Sequence, residues 1–399
     1  LAVINRNNYY FLCSTTEEPY CEHRDSDPFI FYYRDFDDAN DYYYIEIKDG
    51  EALGRFTLRS LVDWDLILKI RDPNDPTYLM ICNSHEAFDS IVEPIYKHVV
   101  LSHHIPPEKV IVVSGSFDLA ETVEAASDKF QRGKLKAELC MDFEAATKHT
   151  FLHFESEFSR KFEIPETLVY KPYPKKFINF NRRWRPARPT FVGLLIAYGL
   201  IDQGYVSLAP SDCGNKWPDY WQNLIHINHM FDDVLELLKK HRGEIINMPP
   251  LYLDTNDLVT NRAYLMDDTS YLYEQTYFSL IAETNYYTCH EGFEKSRFFS
   301  EKAFKPIVFK HPHIFISTPK MVSAMKQIGY QSFDPLINED YDNIENDGDR
   351  MLAILEETKR LCNLSNRELK DFLGGCREIC DYNHNAFLSK TQFTHRLNY

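Results

Sequence analysis

The sequence predicts an α/β protein built from two doubly wound domains. Three observations carry this. From residue 60 onward, short apolar runs alternate with stretches of helical spacing, the pattern of βαβ units around a parallel sheet. A proline-rich stretch at 163–174 (EIPETLVYKPYP) interrupts that alternation, and a second alternation follows it. The length of 399 residues is enough for two separate cores.

The elements follow in chain order. Residues 1–60 offer two aromatic strand candidates, FIFYYRDF and DYYYIEIKDG, which suit a sheet edge. Residues 77–82 (TYLMIC) form a buried-type strand, and 87–101 have helical spacing through Ile91, Ile95 and Val99. A second strand is expected at 110–113 and a helix at 119–130. Ligands of such sheets sit beyond the carboxyl ends of the strands, which marks Asn83 to Glu86 and Ser114 to Ser116 as candidate edges. After the linker, strands are expected at 175–181, 205–208, 276–282 and 313–317. Helices are expected near 187–199, 229–241, 301–310, 319–328 and 348–362. Leu369, Phe372, Leu373, Cys376 and Ile379 give the tail helical spacing. The expected division is an N-terminal domain over 1–165, a second domain over 172–362 and a helical tail over 363–399 that packs back on the first domain.

Composition narrows the function. The formal net charge of −16 argues against a protein that grips nucleic acid mainly through its phosphates. Aromatic residues reach 15%, which fits a Tyr/Phe-rich core ahead of sugar-stacking or acceptor surfaces. No apolar run reaches the ~18 residues that span a bilayer, and the first residues lack the pattern of a secretory signal. The nine cysteines (13, 21, 82, 140, 213, 289, 362, 376 and 380) are irregularly spaced and read as reduced thiols of a cytoplasmic protein.

Against this acidity, KPYPKKFINFNRRWRPAR at 171–188 carries seven cations and no acid. Arg182, Arg183 and Arg185 fall between the strand expected at 175–181 and the helix expected at 187–199. Cations at a strand-to-helix turn suit a phosphate, because helix N-terminal amides face the same point. A second constellation is YFSLIAETNYY followed by FFSEKAFKPIVFKHPHIF. An apolar strand ends at Glu283, and Ser300-Glu301-Lys302 opens a helix with Ser300 as N-cap. A carboxylate and an ammonium in a first helical turn serve capping, or bind a ribose diol and a phosphate.

SEKAFKPI, preceded by a strand ending in glutamate, resembles the donor-site motif of GT-B glycosyltransferases of the fucosyltransferase type. More closely, NFNRRWRPARPTFVGLL, YFSLIAETNYY, FFSEKAFKPIVFKHPHIF and IGYQSFDPLINEDYDNI resemble, in order, a family of viral and bacterial glycosyltransferase-like proteins. That family commonly reads N-R-R-x-R-P-H-R, F-x-S-E-K-x-x-K-P-I and G-F-x-T-F. The resemblance covers about 175–360; before 170 it rests on the α/β alternation alone. It implies a GT-B-like fold of two Rossmann-like domains facing across a cleft, with a nucleotide-sugar donor bound mainly by the second. It implies that Glu301 holds the ribose hydroxyls and that Lys302, with Arg182, Arg183 or Arg185, neutralises the diphosphate. Glu283 would line the donor pocket and Lys305 would back the phosphate site. Ala187 stands where the family often has histidine, so the role of that histidine is missing or filled elsewhere.

The implied chemistry is metal-independent, inverting transfer with no cofactor beyond the nucleotide sugar. It needs a general base from the first domain. Glu86 is the first choice, ahead of His85, both at an expected strand end, and of Asp118 after the Ser114-Gly115-Ser116 turn. The acceptor is a glycan or, since related sequences occur in viruses, a hydroxymethylated base of viral (phage) DNA, with host cytoplasm the location in that case. The acidic charge favours the glycan. The alternative is a non-catalytic nucleotide-sugar- or nucleic-acid-binding protein, for which residues 171–188 would be the contact. Asp-x-Asp pairs at 25/27, 35/37, 63/65, 340/342 and 347/349 are what 60 acids produce by chance rather than a manganese motif. His226 and His229 lack a third metal ligand. Ser114-Gly115-Ser116 lacks the glycines of a phosphate loop.

Overall fold

The computed structural model describes residues 29–34, 41–46, 64–75, 78–83, 91–158, 172–181, 185–208, 217–247, 251, 270–289, 295–391 and 394–396. It is a mixed α/β protein with two sheets. In chain order the first elements are β1 (Phe29–Arg34), β2 (Asp41–Glu46), α1 (Trp64–Arg71), β3 (Tyr78–Asn83), α2 (Val92–Ile95, continued as a wider turn over Tyr96–Leu101), β4 (Val110–Ser114), α3 (Leu119–Phe130), β5 (Lys136–Cys140) and α4 (Asp142–Phe158). Then come β6 (Phe177–Asn179), α5 (Ala187–Ala197), β7 (Gly204–Val206), α6 (Trp217–Ile227), α7 (Asp232–Lys240), α8 (Arg242–Ile246), β8 (Phe278–Ala282), α9 (Glu301–Val308), β9 (His313–Ile316), α10 (Met321–Gln327), α11 (Asp347–Cys362), α12 (Asn366–Ser389) and β10 (Thr394–Arg396).

The chain divides into two compact units, one of Leu1–Ala145, Ser296–Phe298 and Lys390–Tyr399, the other of Ala146–Lys295 and Phe299–Ser389. The first holds a six-stranded sheet in the order β1-β2-β3-β4-β5-β10. Strands β2 to β5 run parallel, and β1 and β10 are antiparallel additions at its two edges. The middle strands, covered on both faces, carry apolar runs, Leu79 to Ile81 in β3 and Val110 to Val113 in β4. Leu79, Ile81, Val110 and Val112 pack on one side with Ile95, Val99 and Val123 of the helices. Met80, Ile111, Val113 and Cys140 form the other side. In α3, Leu119, Val123 and Ala126 are the buried stripe. Gln131 ends that helix in the left-handed region at φ 50, with Arg132 N–H donating to Ser127 O.

The second unit holds four parallel strands in the order β7-β6-β8-β9. The chain steps from β6 to β7 in one direction and then returns past β6 to β8 and β9. The strand order therefore reverses between β6 and β8, the point where sheets of this kind hold ligands. Phe177 packs so close to Gly204 that a β-carbon there would lie 2.2 Å from the ring, which accounts for glycine at the start of β7. The last long helix, α12, packs on α9 and buries Leu369, Phe372, Leu373, Cys376, Cys380 and Phe387. It is opened by a capping box: Ser365 N–H donates to Glu368 (2.8 Å) and Glu368 N–H to Ser365 Oγ (3.4 Å).

The aromatic segments of the first 60 residues are strands at a sheet edge, as their sequence predicts, and α3 spans the residues expected of it. Several elements differ. Strand β5 and helices α1, α4, α6 and α8 were not expected. Lys136 and Glu138 break the apolar run of β5. The helix expected from 229 starts at Asp232, because Phe231 before it is non-helical at φ −120 and ψ 85. The tail over 363–399 is divided: α12 belongs to the second unit and Lys390–Tyr399 to the first, where β10 pairs with β5.

Candidate functional site

Strand β8, FSLIA, is buried throughout and apolar but for Ser279, and Glu283 follows its last residue. The backbone N–H of Glu283 donates to Ile316 O of β9 at 3.1 Å, which prolongs the ladder and leaves the carboxyl buried. A buried carboxylate needs donors. Both come from Ser300: its hydroxyl donates to Glu283 Oε2 at 2.6 Å and its backbone N–H to Oε1 at 3.2 Å.

Ser300 is the N-cap of α9, with an extended backbone at φ −86 and ψ −179. Its hydroxyl proton is committed to Glu283, so its oxygen is left as an acceptor. It receives Lys302 N–H at 3.4 Å and the Lys302 ammonium at 3.1 Å. The same ammonium donates to Glu301 Oε1 at 2.7 Å. A continuous chain of bonds thus runs Glu283–Ser300–Lys302–Glu301 across the first turn of α9. Burial pushes the Glu283 carboxyl above its ordinary range, against the pull of Lys302 and the Ser300 donors. Burial also pushes Glu301 upward, but the Lys302 ammonium, with Lys305 behind it, outweighs that and holds Glu301 below the ordinary range. Of the pair, Lys302 keeps 23% and Glu301 19% of its side chain accessible.

Across the reversal point, the end of β6 and the residues just after it hold two buried asparagines, Asn179 and Asn181. Asn179 Nδ2 donates to Leu280 O of β8 at 2.9 Å. Asn181 Nδ2 donates to Asn179 Oδ1 (2.5 Å) and to Ser207 O (3.0 Å). Ser207 O is a carbonyl and only accepts, so the Asn181 amide orientation is fixed. Its Oδ1, directed away from both, is buried with no hydrogen-bond partner among the described residues. Arg188, in the first turn of α5, is buried and donates through Nη2 to Ala282 O at 3.2 Å. Deeper in, Thr190, Asn228 and Tyr287 form a closed polar triangle that ties α5 to the segment after β8: Asn228 Nδ2 to Thr190 Oγ1 at 2.9 Å, Tyr287 OH to Asn228 Oδ1 at 3.2 Å, and the two hydroxyls 3.1 Å apart.

The segment after β8 is held by Asp347. Its carboxylate accepts from Thr288 N–H (2.8 Å), Thr288 Oγ1 (3.0 Å), Cys289 N–H (3.2 Å) and the Cys289 thiol (3.0 Å), and pairs with Arg350 at 2.5 Å. Burial and the facing carboxylate push the Cys289 thiol up to about 11. The Arg350 guanidinium, fully buried, also donates to Ser317 O, Ile344 O and Tyr286 O.

Of the residues singled out from sequence, Glu283, Glu301 and Lys302 are brought together, with Ser300 as the link. Lys305 stands one turn on, near enough to act on the Glu301 charge. Arg185 is exposed at the start of the turn into α5. Arg182, Arg183, His85 and Glu86 lie outside the described residues. Asp118, in the first unit, accepts from Arg297 N–H and Nε (2.7 Å each) and from Nη2 (2.5 Å), so its carboxylate is engaged in an ion pair. Two members of the Asp-x-Asp pairs are structural. Asp342 receives the Val322 and Ser323 amides at the start of α10, and Asp347 is the anchor just described. His226 and His229 stack on each other, ring centroids 5.6 Å apart.

Asn179, Asn181 and Arg188 were not assigned from sequence. The signal was present in N-F-N at the end of a strand, two polar residues on one face where an apolar alternation is expected. Comparison with protein-family models, curated proteins and solved structures finds no match for this chain.

Proposed function

We propose that the protein is a glycosyltransferase of the GT-B type, moving a sugar from a nucleotide-diphosphate sugar to an acceptor hydroxyl. The observation that supports this is the Glu283–Ser300–Lys302–Glu301 chain at the strand-order reversal of a parallel sheet. It offers an ammonium for the diphosphate and a carboxylate for the ribose diol in one helical turn. The N-terminal amides of α9 add to the field on an anion. In this reading Lys302, with Arg182, Arg183 or Arg185, compensates the charge that builds on the leaving group.

The step balances without a redox partner. The acceptor oxygen attacks the anomeric carbon, and the bond from that carbon to the diphosphate oxygen breaks. The electron pair leaves with the nucleoside diphosphate, and attack from the opposite face inverts the centre. The acceptor proton passes to a general base, for which Glu86 and His85 are the candidates. Asp118 is the weakest of the three, since Arg297 occupies its carboxylate. A glycan is the favoured acceptor and a hydroxymethylated base of viral DNA the other.

Thermal-shift measurements with UDP, GDP, CDP, ADP and dTDP test the reading. A diphosphate at a hundred times its Kd stabilises the folded state by about 2.7 kcal/mol. The expected result is a raised Tm with one diphosphate, lost in Glu301→Ala and in Lys302→Ala. No shift with any of the five would overturn the assignment and turn attention to nucleic acid at residues 171–188.

A further inference from the structure

Lys302 is held at two of its three ammonium hydrogens. One goes to Ser300 Oγ at 3.1 Å and one to Glu301 Oε1 at 2.7 Å, and the third has no partner among the described residues. Two placed hydrogens fix the direction of the third, which is the one an anion can take. The Ser300 contact depends on a group further in. A hydroxyl has a single hydrogen. Ser300 gives it to Glu283 Oε2 at 2.6 Å and so turns its lone pairs toward Lys302. The other Glu283 oxygen takes the Ser300 N–H at 3.2 Å. A glutamate lining a donor pocket, as the family resemblance implies, would offer an oxygen to the ligand. Here Ser300 takes both, and the residue is buried.

We propose that Glu283 is a positioning residue for the anion site at the start of α9, its carboxylate setting the direction of the Ser300 hydroxyl and thereby the aim of the third Lys302 hydrogen. That the anion is a nucleoside diphosphate rests on the donor-site reading given above. Glu283 touches no ligand and acts only through Ser300.

The charge of Glu283 and the aim it imposes act in opposite directions. A buried negative charge near an anion site weakens anion binding by Coulomb repulsion. Through Ser300 the same charge strengthens binding, because it keeps Lys302 in place. Replacement by glutamine separates the two effects. The charge is gone, and an amide N–H faces Ser300 Oγ where an acceptor stood. The serine hydrogen then turns outward and meets the ammonium donor to donor, which leaves Lys302 with Glu301 alone. Anion affinity rises if charge dominates and falls if positioning does.

Two measurements on the full chain test this. One is limited acetylation of the ligand-free protein, read at each lysine by peptide mass spectrometry. The other is calorimetric titration with inorganic pyrophosphate and with UDP, GDP, CDP, ADP and dTDP. In Glu283→Gln the Lys302 amine is expected to acetylate roughly tenfold faster than in wild type, the scale of one charge-assisted hydrogen bond. Lys305, one turn on in the same helix, is expected to keep its wild-type rate, whereas fraying of the helix would speed both. Affinity for pyrophosphate and for the bound nucleoside diphosphate is expected to fall roughly tenfold. Ser300→Ala is the second variant, expected to match Glu283→Gln in Lys302 acetylation and in affinity, and the double variant is expected to be no worse than either. An unchanged Lys302 rate in both single variants overturns the proposal, as does faster acetylation of both lysines in Glu283→Gln. If Lys302 acetylates as expected while no nucleoside diphosphate binds wild type, the positioning of Lys302 stands and the donor-site reading fails. If a nucleoside diphosphate binds Glu283→Gln as tightly as wild type or more tightly, the donor-site reading stands and the positioning role fails.

Discussion

The two sheets end in different chemistry. Beyond β4 of the first, Ser114, Ser116 and Asp118 turn their side chains back on the chain. Ser114 Oγ accepts from Ser116 N–H at 3.2 Å, Ser116 Oγ from Asp118 N–H at 3.0 Å, and the Asp118 carboxylate is taken by Arg297. Beyond β8 of the second, the polar chain does not close. It runs from buried Glu283 outward to a Lys302–Glu301 pair that is partly accessible, and the neighbouring Asn181 keeps an unused acceptor. A network whose bonds are all used stabilises a turn. One that ends in exchangeable partners has capacity left for a ligand. The sequence marks both places as strand ends, and only the bonding separates them.

Substitution at the inner end of the open network is the strongest way to break this comparison. Glu283→Ala leaves two buried Ser300 donors unpaired, at about 1–3 kcal/mol each where no water replaces them. A loss of about 2–4 kcal/mol in denaturant unfolding is expected, together with loss of any nucleoside-diphosphate thermal shift. Retained binding in a folded Glu283→Ala would show that Ser300 holds Lys302 without help.

Asp118→Ala makes the contrast sharper. It removes a partly buried partner of Arg297, and a destabilisation of about 1–3 kcal/mol is expected. Affinity for nucleoside diphosphates should be unchanged. A fall in that affinity would mean that the closed network also serves the ligand.

An effect confined to acid pH concerns the opposite end of the second sheet, at the start of β9. His311 and His313 are fully enclosed, and burial pushes both down to about 4. Ordinary histidine titrates near 6.5, so between these values the unfolded chain binds more protons than the folded one. This part of the stability is complete above about pH 6.5 and is lost as pH falls toward 4, by up to about 1.4 kcal/mol per pH unit for each ring. Chemical-denaturation stability measured from pH 7.5 to 5 should fall less steeply in His313→Phe than in wild type. Equal slopes would remove His313 from the account.

Legibility in the sequence followed the range of the interaction. The apolar runs of β3, β4, β8 and β9 and the Ser300 cap are local, and local spacing shows them. Asp118 and Arg297 lie 179 positions apart, and Asp347 lies 59 from Thr288. Nothing near either end announces its partner, and so Asp347 read as half of a chance Asp-x-Asp pair. Glu283 was visible as the end of a strand. That it binds Ser300 rather than open solvent is a matter of tertiary packing. The turn carrying Arg182 and Arg183 is the part of the constellation on which the described residues are silent.

The edge position of β10 bears on how the protein is made. Its partner β5 ends at Cys140, while β10 begins at Thr394, so the ribosome builds the whole second unit between the two. During that interval β5 is an uncovered strand edge, the kind of surface that pairs with other chains. Chaperone occupancy on nascent chains should therefore persist on the first unit until the residues after α12 emerge, and truncation before Lys390 should favour aggregation over loss of the second unit's fold.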